Sequence, residues 1–367
     1  MTDPRLHNFA KVLVDYSARI QPGDCVLIES TTNAEALITE MFKLILDRGG
    51  RPYLQLAFPE TREIFISHAS EDTLRYTNPI RSLVYETFES RYRIEADADP
   101  GAMDNVDPKR LSTYLESESP VLQTQFRRGA AKEFKWVTTL FPTEGYARQA
   151  GMSLSEYEDF VYKAVHATEA DPVAYWNGIN DEQQRYADAF KGHDQVQLRG
   201  PNVDLNLSIK GRTFVNAFGN HNMPDGEIFT GPVEDSLNGW VRYTYPAMHY
   251  GTIVEGIELR FKDGKVVEAQ AKKNEAYLKQ ILATDEGSSF VGEFAIGLNK
   301  DVDRFTGHIL FDEKIGGSFH MAVGRGYPET GSQNVSAVHW DMICDLRKDS
   351  EITVDGELFY KDGAFVI

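Results

Sequence analysis

The hydrophobic pattern of this chain changes character part-way along. In the first half, apolar residues at helical spacing over 6–14 and 37–45 alternate with short apolar strands at 25–28 and 53–57. This strand–helix–strand order predicts parallel strands joined by a helical crossover, because two parallel strands need a long connection. We therefore predict an N-terminal Rossmann-like α/β domain with a parallel sheet, which a later buried strand at 136–141 extends.

Antiparallel strands are predicted in the second half. Apolar and polar residues alternate over 203–209 and 257–261, which is strand periodicity. Asp-Gly pairs, a hairpin signal, occur at 263–264, 355–356 and 362–363. Since 367 residues exceed what one core usually organises, we predict an N-terminal α/β domain at 1–190 and a strand-rich α+β domain at 191–367.

The first half also carries one helix start signal and lacks one binding motif. Ser153 and Glu156 have the spacing of a capping box, which predicts a helix running through Phe160 and Val165. The chain has no glycine-rich phosphate loop after its first strand. We therefore predict no nucleotide or NAD cofactor, because a Rossmann-like shape does not by itself imply that function.

Composition excludes several partners. A formal net charge of −18 disfavours nucleic acid and anionic membranes, both of which need basic protein surface. The two cysteines, Cys25 and Cys344, offer no disulfide framework and fit a reducing compartment. The amino terminus lacks the pattern of a signal peptide, and no apolar run approaches the roughly 18 residues of a membrane span. We expect a cytoplasmic protein with no membrane or nucleic-acid partner.

Side chains that suit divalent metal ions accumulate in the second half. Their number exceeds what one ion normally takes from a protein and is enough for two. The candidate metal ligands are Glu227, Glu293, His320, Tyr327, His339 and Asp341.

Local sequence favours this interpretation for some of the six more than for others. Glu227 closes a turn built from Pro and Gly, so its carboxylate is expected to project from a fixed loop. His339 and Asp341 are two residues apart, which places both on one face of a strand. Taken singly, a Glu after a turn is usually solvated and a lone His is usually a hydrogen-bonded core residue. Tyr327 is the weakest candidate, because tyrosine is a rare metal ligand.

Longer segments around these residues resemble a known family. The segments 223–239, 292–299, 310–320 and 339–342, and the segment 151–160 farther from the candidates, are similar to blocks of the thermophilic metalloaminopeptidase family of the aminopeptidase T and aminopeptidase S type. The resemblance covers most of the chain. It implies that the ligands of two divalent metal ions are Glu227, Glu293, His320, Tyr327, His339 and Asp341.

The resemblance also implies an activity and an assembly. The activity is removal of N-terminal residues from peptides by water that two metal ions activate, and the substrates are peptides with a free amino terminus. Zinc or cobalt is implied, with manganese and magnesium as alternatives, because mixed carboxylate and imidazole ligation does not select one ion. A homodimer is implied as well.

Roles within the predicted centre stay open at several points. Either Glu293 or Glu227 is expected to bridge the two ions as the catalytic carboxylate, because a carboxylate has two oxygens to share. No general base is assigned. Asp312, Glu313 and Glu329 are acidic neighbours in sequence, although Glu313 is interpreted first as the ion-pair partner of the lysine beside it.

Two other functions are consistent with parts of the pattern. His320, His339 and Asp341 form a two-His, one-carboxylate set, the ligand composition of mononuclear Fe(II) oxygenases, and a ring-cleaving dioxygenase related in fold to this peptidase family uses such a triad. Such an enzyme has no need for Glu227 and Glu293. A catalytically inactive binding protein with the same fold is a third hypothesis, which the complete ligand set disfavours.

Overall fold

The structure, a computed structural model, describes residues 3–367. The α-helices are α1 Pro4–Lys11, α2 Glu35–Asp47, α3 Thr61–His68, α4 Glu71–Leu74, α5 Pro79–Thr87, α6 Pro108–Ala130, α7 Glu144–Gln149, α8 Leu154–Ala164, α9 Pro172–Ala189, α10 Glu275–Leu282 and α11 Ile309–Asp312. The strands are β1 Cys25–Thr31, β2 Arg51–Ala57, β3 Ser90–Glu95, β4 Lys135–Leu140, β5 Gln195–Gly200, β6 Val203–Ser208, β7 Val215–Ala217, β8 Asn222–Met223, β9 Glu227–Thr230, β10 Asn238–Arg242, β11 Ala247–His249, β12 Thr252–Val254, β13 Glu258–Lys262, β14 Lys265–Gln270, β15 Val291–Gly297, β16 Ser318–Gly324, β17 His339–Asp345, β18 Glu351–Val354, β19 Glu357–Lys361 and β20 Ala364–Phe365.

The chain forms two compact units. The first contains the chain up to Asn177 together with Gly219–Pro224, and the second contains Gly178–Phe218 and Asp225–Ile367. The chain passes from one to the other inside α9. The functional domains at 1–190 and 191–367 remain a prediction.

The first unit is built on a parallel sheet. Its strand order is β2-β1-β3-β4-β8, and every neighbouring pair is parallel. Helix α2 is the crossover that the sequence predicts between β1 and β2, and it buries Leu37, Met41 and Leu44. The α/β prediction for this part of the chain is confirmed.

The second unit is mainly antiparallel. An eight-stranded sheet has the order β14-β13-β10-β6-β5-β18-β19-β20, and a five-stranded sheet has the order β17-β16-β15-β9-β7. Hairpins join β13 to β14, β18 to β19 and β19 to β20 at the three predicted Asp-Gly pairs. The hydrophobic core of this unit draws on both sheets.

The five-stranded sheet has two buried faces of different chemistry. In β16 every residue is buried, and Phe319, Met321 and Val323 belong to the hydrophobic core. In β17, Trp340 and Met342 belong to the same core. The residues between them point to the opposite face, because side chains alternate along a strand.

Among residues 3–367, no helix is both long enough and apolar enough to cross a lipid bilayer.

Candidate metal centre

Strands β15, β16 and β17 bring four predicted ligands to one face of the antiparallel five-stranded sheet of the second unit. Glu293 and Asp341 both lie opposite Ala322, one from each neighbouring strand. His320 precedes Ala322 by two residues, and His339 precedes Asp341 by two. The period of two therefore places all four on the side away from the core.

The fifth predicted ligand reaches the same face from β9. Glu227 is the first residue of β9 and lies opposite Gly297, four residues after Glu293. We call this side of the sheet the ligand face. The positions between its ligands carry small residues, which we call the floor: Ala295, Gly297, Ala322 and Gly324. A floor without long side chains leaves space above it for ions and substrate.

The imidazole of His320 lies at the middle of the cluster. Its Nε2 is 3.5 Å from Glu227 Oε2 and 3.9 Å from both Glu293 Oε1 and Asp341 Oδ1. His320 is 1% exposed. These donor atoms converge closely enough for one ion to bind several of them.

His339 forms the outer part of the cluster. Its Nε2 is 3.3 Å from Glu293 Oε2 and 3.6 Å from Asp341 Oδ2. Its Nδ1 donates to the carbonyl of Arg325 at 2.8 Å, and a bond of this kind fixes the ring and leaves the other nitrogen to a metal. The hydroxyl of Tyr327 is 3.5 Å from the same Nε2. All six predicted residues therefore lie together.

The donors fall into overlapping groups, in each of which all ligand atoms lie within 4.8 Å of one another. The groups are Glu227, Glu293 and His320; Glu293, His339 and Asp341; and Glu313, His320 and Asp341. Glu227 Oε2 and Asp341 Oδ1 are buried and accept no hydrogen bond from the described part of the chain. Buried oxygens of this kind need a positive partner, so the residues fit divalent metal ions.

A lysine that the sequence analysis left as a simple ion-pair partner also lies at the centre. Lys314 is 1% exposed, and its Nζ is 2.5 Å from Glu227 Oε1, 2.7 Å from Glu313 Oε1 and 3.4 Å from Asp225 Oδ1. The predicted ion pair of Glu313 with Lys314 is confirmed. Sequence analysis missed that Glu313 also joins the cluster, and the motif Phe-Asp-Glu-Lys gives no signal for it.

The other two acidic neighbours named from the sequence have different surroundings. Asp312 is buried and accepts bonds from the backbone and hydroxyl of Thr306. Glu329 is exposed. Neither belongs to a ligand group among the described residues.

Electrostatics at the centre reflect its burial and its crowded charges. Burial raises the pKa of the Glu227 carboxyl well above its ordinary value, although Lys314 opposes the shift. Burial lowers the pKa of His339, but Asp341 and Glu293 outweigh it and raise that pKa to about 10. Burial and the charge of Glu293 raise the pKa of Tyr327, so the phenol is neutral without metal. In the absence of metal the centre therefore retains protons, which an ion displaces.

Comparison with known proteins agrees with this geometry. The model of the thermophilic metalloprotease (M29) family matches residues 2–365. The chain belongs to this family. It is therefore a metalloprotease, which accounts for a buried cluster of carboxylates and imidazoles on a sheet.

Individual relatives are similar to this chain along most of their length. Aminopeptidase 2 of Geobacillus stearothermophilus is 26% identical, with 97% of this chain and 95% of that protein covered. Aminopeptidase T of Thermus thermophilus is 29% identical over 72% of each protein. The solved structure of wild-type AmpT from Thermus thermophilus superposes with a TM-score of 0.85 at 21% identity and covers 99% of both chains. This structural likeness shows that the fold is shared.

Proposed function

We propose that this protein is a metal-dependent aminopeptidase that removes N-terminal residues from peptides. The observation that carries the proposal is the convergence of Glu227, Glu293, His320, His339 and Asp341 on the ligand face. The similar proteins from Geobacillus stearothermophilus and Thermus thermophilus are both named aminopeptidases. Two divalent ions, zinc or cobalt in the first place and manganese or magnesium otherwise, would supply an activated water and a polarised peptide carbonyl.

The chain's own residues have distinct roles in this proposal. Two of the three ligand groups consist only of predicted ligands, and Glu293 is the residue that those two groups share. It is therefore proposed as the bridging, catalytic carboxylate, with Glu227 as the other candidate for that role. His339 is held in its ligating orientation by the carbonyl of Arg325. The neutral hydroxyl of Tyr327 beside His339 completes the predicted ligand set.

Preference for a free amino terminus is proposed to follow from metal ligation. A neutral amine nitrogen has a lone pair for an ion, whereas the nitrogen of an acetylated terminus is an amide and is a poor ligand. We therefore propose that one of the two ions, with the carboxylates around it, would anchor the free amine of the substrate.

The proposal is tested with a small panel of peptides, each in free and N-acetylated form, incubated with metal-reconstituted protein and analysed by mass spectrometry. We expect stepwise loss of N-terminal residues from the free peptides alone. We also expect chelation to abolish the reaction and added Zn²⁺ or Co²⁺ to restore it. Cleavage of acetylated peptides, or activity that persists in chelator, would overturn the proposal.

The ring-cleaving dioxygenase is not favoured. Its triad, His320, His339 and Asp341, lies within the cluster, but Glu227 and Glu293 lie within 3.5 and 3.9 Å of His320 as well. A mononuclear iron site leaves those two carboxylates without a role. Oxygen consumption with one iron per chain would reverse this preference.

We also propose a cytoplasmic homodimer. Strand β2 lies at the edge of the parallel sheet, and Tyr53, Leu54 and Leu56 on it are 48%, 46% and 42% exposed. An edge strand with exposed apolar side chains offers a surface on which another chain can pack. The two cysteines, Cys25 and Cys344, are not joined to each other, which fits a reducing compartment.

A further inference from the structure

The metalloprotease assignment does not explain why a lysine, Lys314, lies at the centre. A lysine at 1% exposure is rare, because removing an ammonium from water is strongly unfavourable unless carboxylates surround it. Its backbone is tied down, since its N–H donates to the carbonyl of Phe311 and its carbonyl accepts from Asn299. The ammonium is therefore held in place from both ends of the side chain.

The ammonium divides the carboxylate of Glu227 between two partners. Lys314 Nζ donates to Oε1 at 2.5 Å. The other oxygen, Oε2, faces His320 Nε2 at 3.5 Å and accepts no hydrogen bond from the described residues. One oxygen is thus taken by the lysine, and the other points into the cluster.

Glu313 also combines an ion pair to Lys314 with membership of a ligand group. Its Oε1 is 2.7 Å from Lys314 Nζ, while the residue also offers a ligand atom to the group that contains His320 and Asp341. A single ammonium therefore touches two carboxylates that belong to different ligand groups of one cluster. An oxygen that accepts from an ammonium is a weaker metal ligand, so the other oxygen of each carboxylate is the one favoured for a metal.

The balance of charge at the centre supports a role for the Lys314 ammonium when two ions are bound. Five carboxylates lie in or beside the cluster: Asp225, Glu227, Glu293, Glu313 and Asp341. Two divalent ions would neutralise four of these charges, and the ammonium would neutralise the fifth. The lysine and two ions together therefore match the negative charge that the fold buries.

We propose that Lys314 is a positioning residue of the metal centre, whose ammonium occupies one oxygen of Glu227 and one of Glu313 so that each carboxylate ligates through a single oxygen. This inference rests on the proposed two-metal function, and it favours Glu293 over Glu227 as the bridging carboxylate, because one oxygen of Glu227 is then held by Lys314. It assigns to Lys314 control of the coordination number of the ions rather than contact with the substrate. A lower coordination number leaves positions on the ions for water and the peptide carbonyl.

Lys314→Met tests the inference, with Lys273→Met as the matched control, because Lys273 pairs with Glu255 at 2.8 Å on an exposed surface. Each protein is loaded with Co²⁺, and the bound ions per chain, the visible absorption spectrum, kcat and KM are measured. We expect Lys314→Met to keep two ions but show a weaker visible absorption, because Glu227 and Glu313 then become bidentate and raise the coordination number. We expect kcat to fall by about 10- to 100-fold, as for other residues that orient metal ligands, with KM nearly unchanged.

Lys273→Met is expected to match the wild type in all four measurements. A Lys314→Met protein with the wild-type spectrum and kcat would overturn the inference. If the wild type itself binds no ions or cleaves no peptide, the proposed function fails and not the role of the lysine alone.

A crystal structure of the wild-type protein with Zn²⁺ tests the same point if Lys314→Met does not fold. We expect one oxygen of Glu227 and one of Glu313 on zinc, with the remaining oxygens on Lys314 Nζ. Bidentate ligation by either carboxylate, or a lysine side chain turned away from both, would overturn the inference.

Discussion

Glu293 occupies the point where two groups of ligands overlap. It approaches His320 with one oxygen at 3.9 Å and His339 with the other at 3.3 Å. We predict that Glu293→Gln keeps the fold but reduces metal occupancy and lowers kcat/KM at least about 100-fold, because an amide cannot bridge two cations. Metal analysis and peptide turnover provide the measurement.

Glu329→Gln is the control for that substitution, since Glu329 is exposed and outside the described ligand groups. It is expected to leave occupancy and turnover unchanged. Wild-type turnover in Glu293→Gln would remove Glu293 from the site.

Single residues of the centre differed in how far the sequence could reveal them. His339 and Asp341 could be predicted from the sequence, because their spacing places both on one face of a strand. The structure has strand β17 over both residues. The places of Glu313 and Lys314 could not be predicted in this way, because they depend on where a short helix and its loop lie above the ligand face. No pattern within the chain specifies that Lys314 is buried against Glu227, or that the half-buried Glu313 pairs with it beside His320 and Asp341.

The strand that carries Glu293 contains a bulge at Gly292. The pairing of β15 with β16 shifts register between Val291 and Glu293, and a bulge re-aims the side chains beside it. A Cβ on Gly292 would collide with the backbone of Gly324 and Arg325. We predict that Gly292→Ala destabilises the protein by about 1–3 kcal/mol and lowers metal occupancy, as measured by denaturant unfolding and metal analysis.

Gly178→Ala is the matched control, because a Cβ on Gly178 meets nothing within 4 Å and the residue lies inside helix α9. It is expected to raise stability by up to about 1 kcal/mol and leave metal binding intact. Equal occupancy in Gly292→Ala and the wild type would show that the bulge does not aim Glu293.

The hairpin of β11 and β12 introduces a pH-dependent contribution to stability. Burial lowers the pKa of His249 to about 4, and its ring lies 5.0 Å from that of Trp340. The unfolded chain binds a proton at His249 more readily, so this contribution is present above pH about 6.5 and is lost as pH falls toward 4. We predict that His249→Gln makes stability less dependent on pH between 4 and 6.5, measured by denaturant unfolding at several pH values. An unchanged slope would contradict this.

Elements with a strong local signal were predictable from the sequence. The capping box of Ser153 and Glu156 forms at the start of α8, and helix α2 spans the predicted 37–45. Hairpin turns appear at the predicted Asp-Gly pairs. The order of strands within each sheet could not be predicted from the sequence, because it depends on pairing between segments far apart in the chain.

At the scale of the whole molecule, the proposed dimer makes a direct prediction. Leu54→Lys places a charge on the exposed edge strand β2 and is expected to shift the protein from dimer to monomer in light scattering after gel filtration, since a buried unpaired charge destabilises an interface. Val335→Lys is the control, because Val335 is 83% exposed in the second unit. A Leu54→Lys dimer as stable as the wild type would place the interface elsewhere.

The floor of small residues limits which substitutions the sheet would accept. Ala322 stands between Glu293 and Asp341, so a larger side chain there would fill the space in which we propose that the reaction takes place. We therefore expect only Gly, Ala and Ser to be tolerated at such positions, whereas loops generally accept more substitutions. New substrate preferences in a lineage with this sheet would arise from its loops, while the reaction itself stays the same.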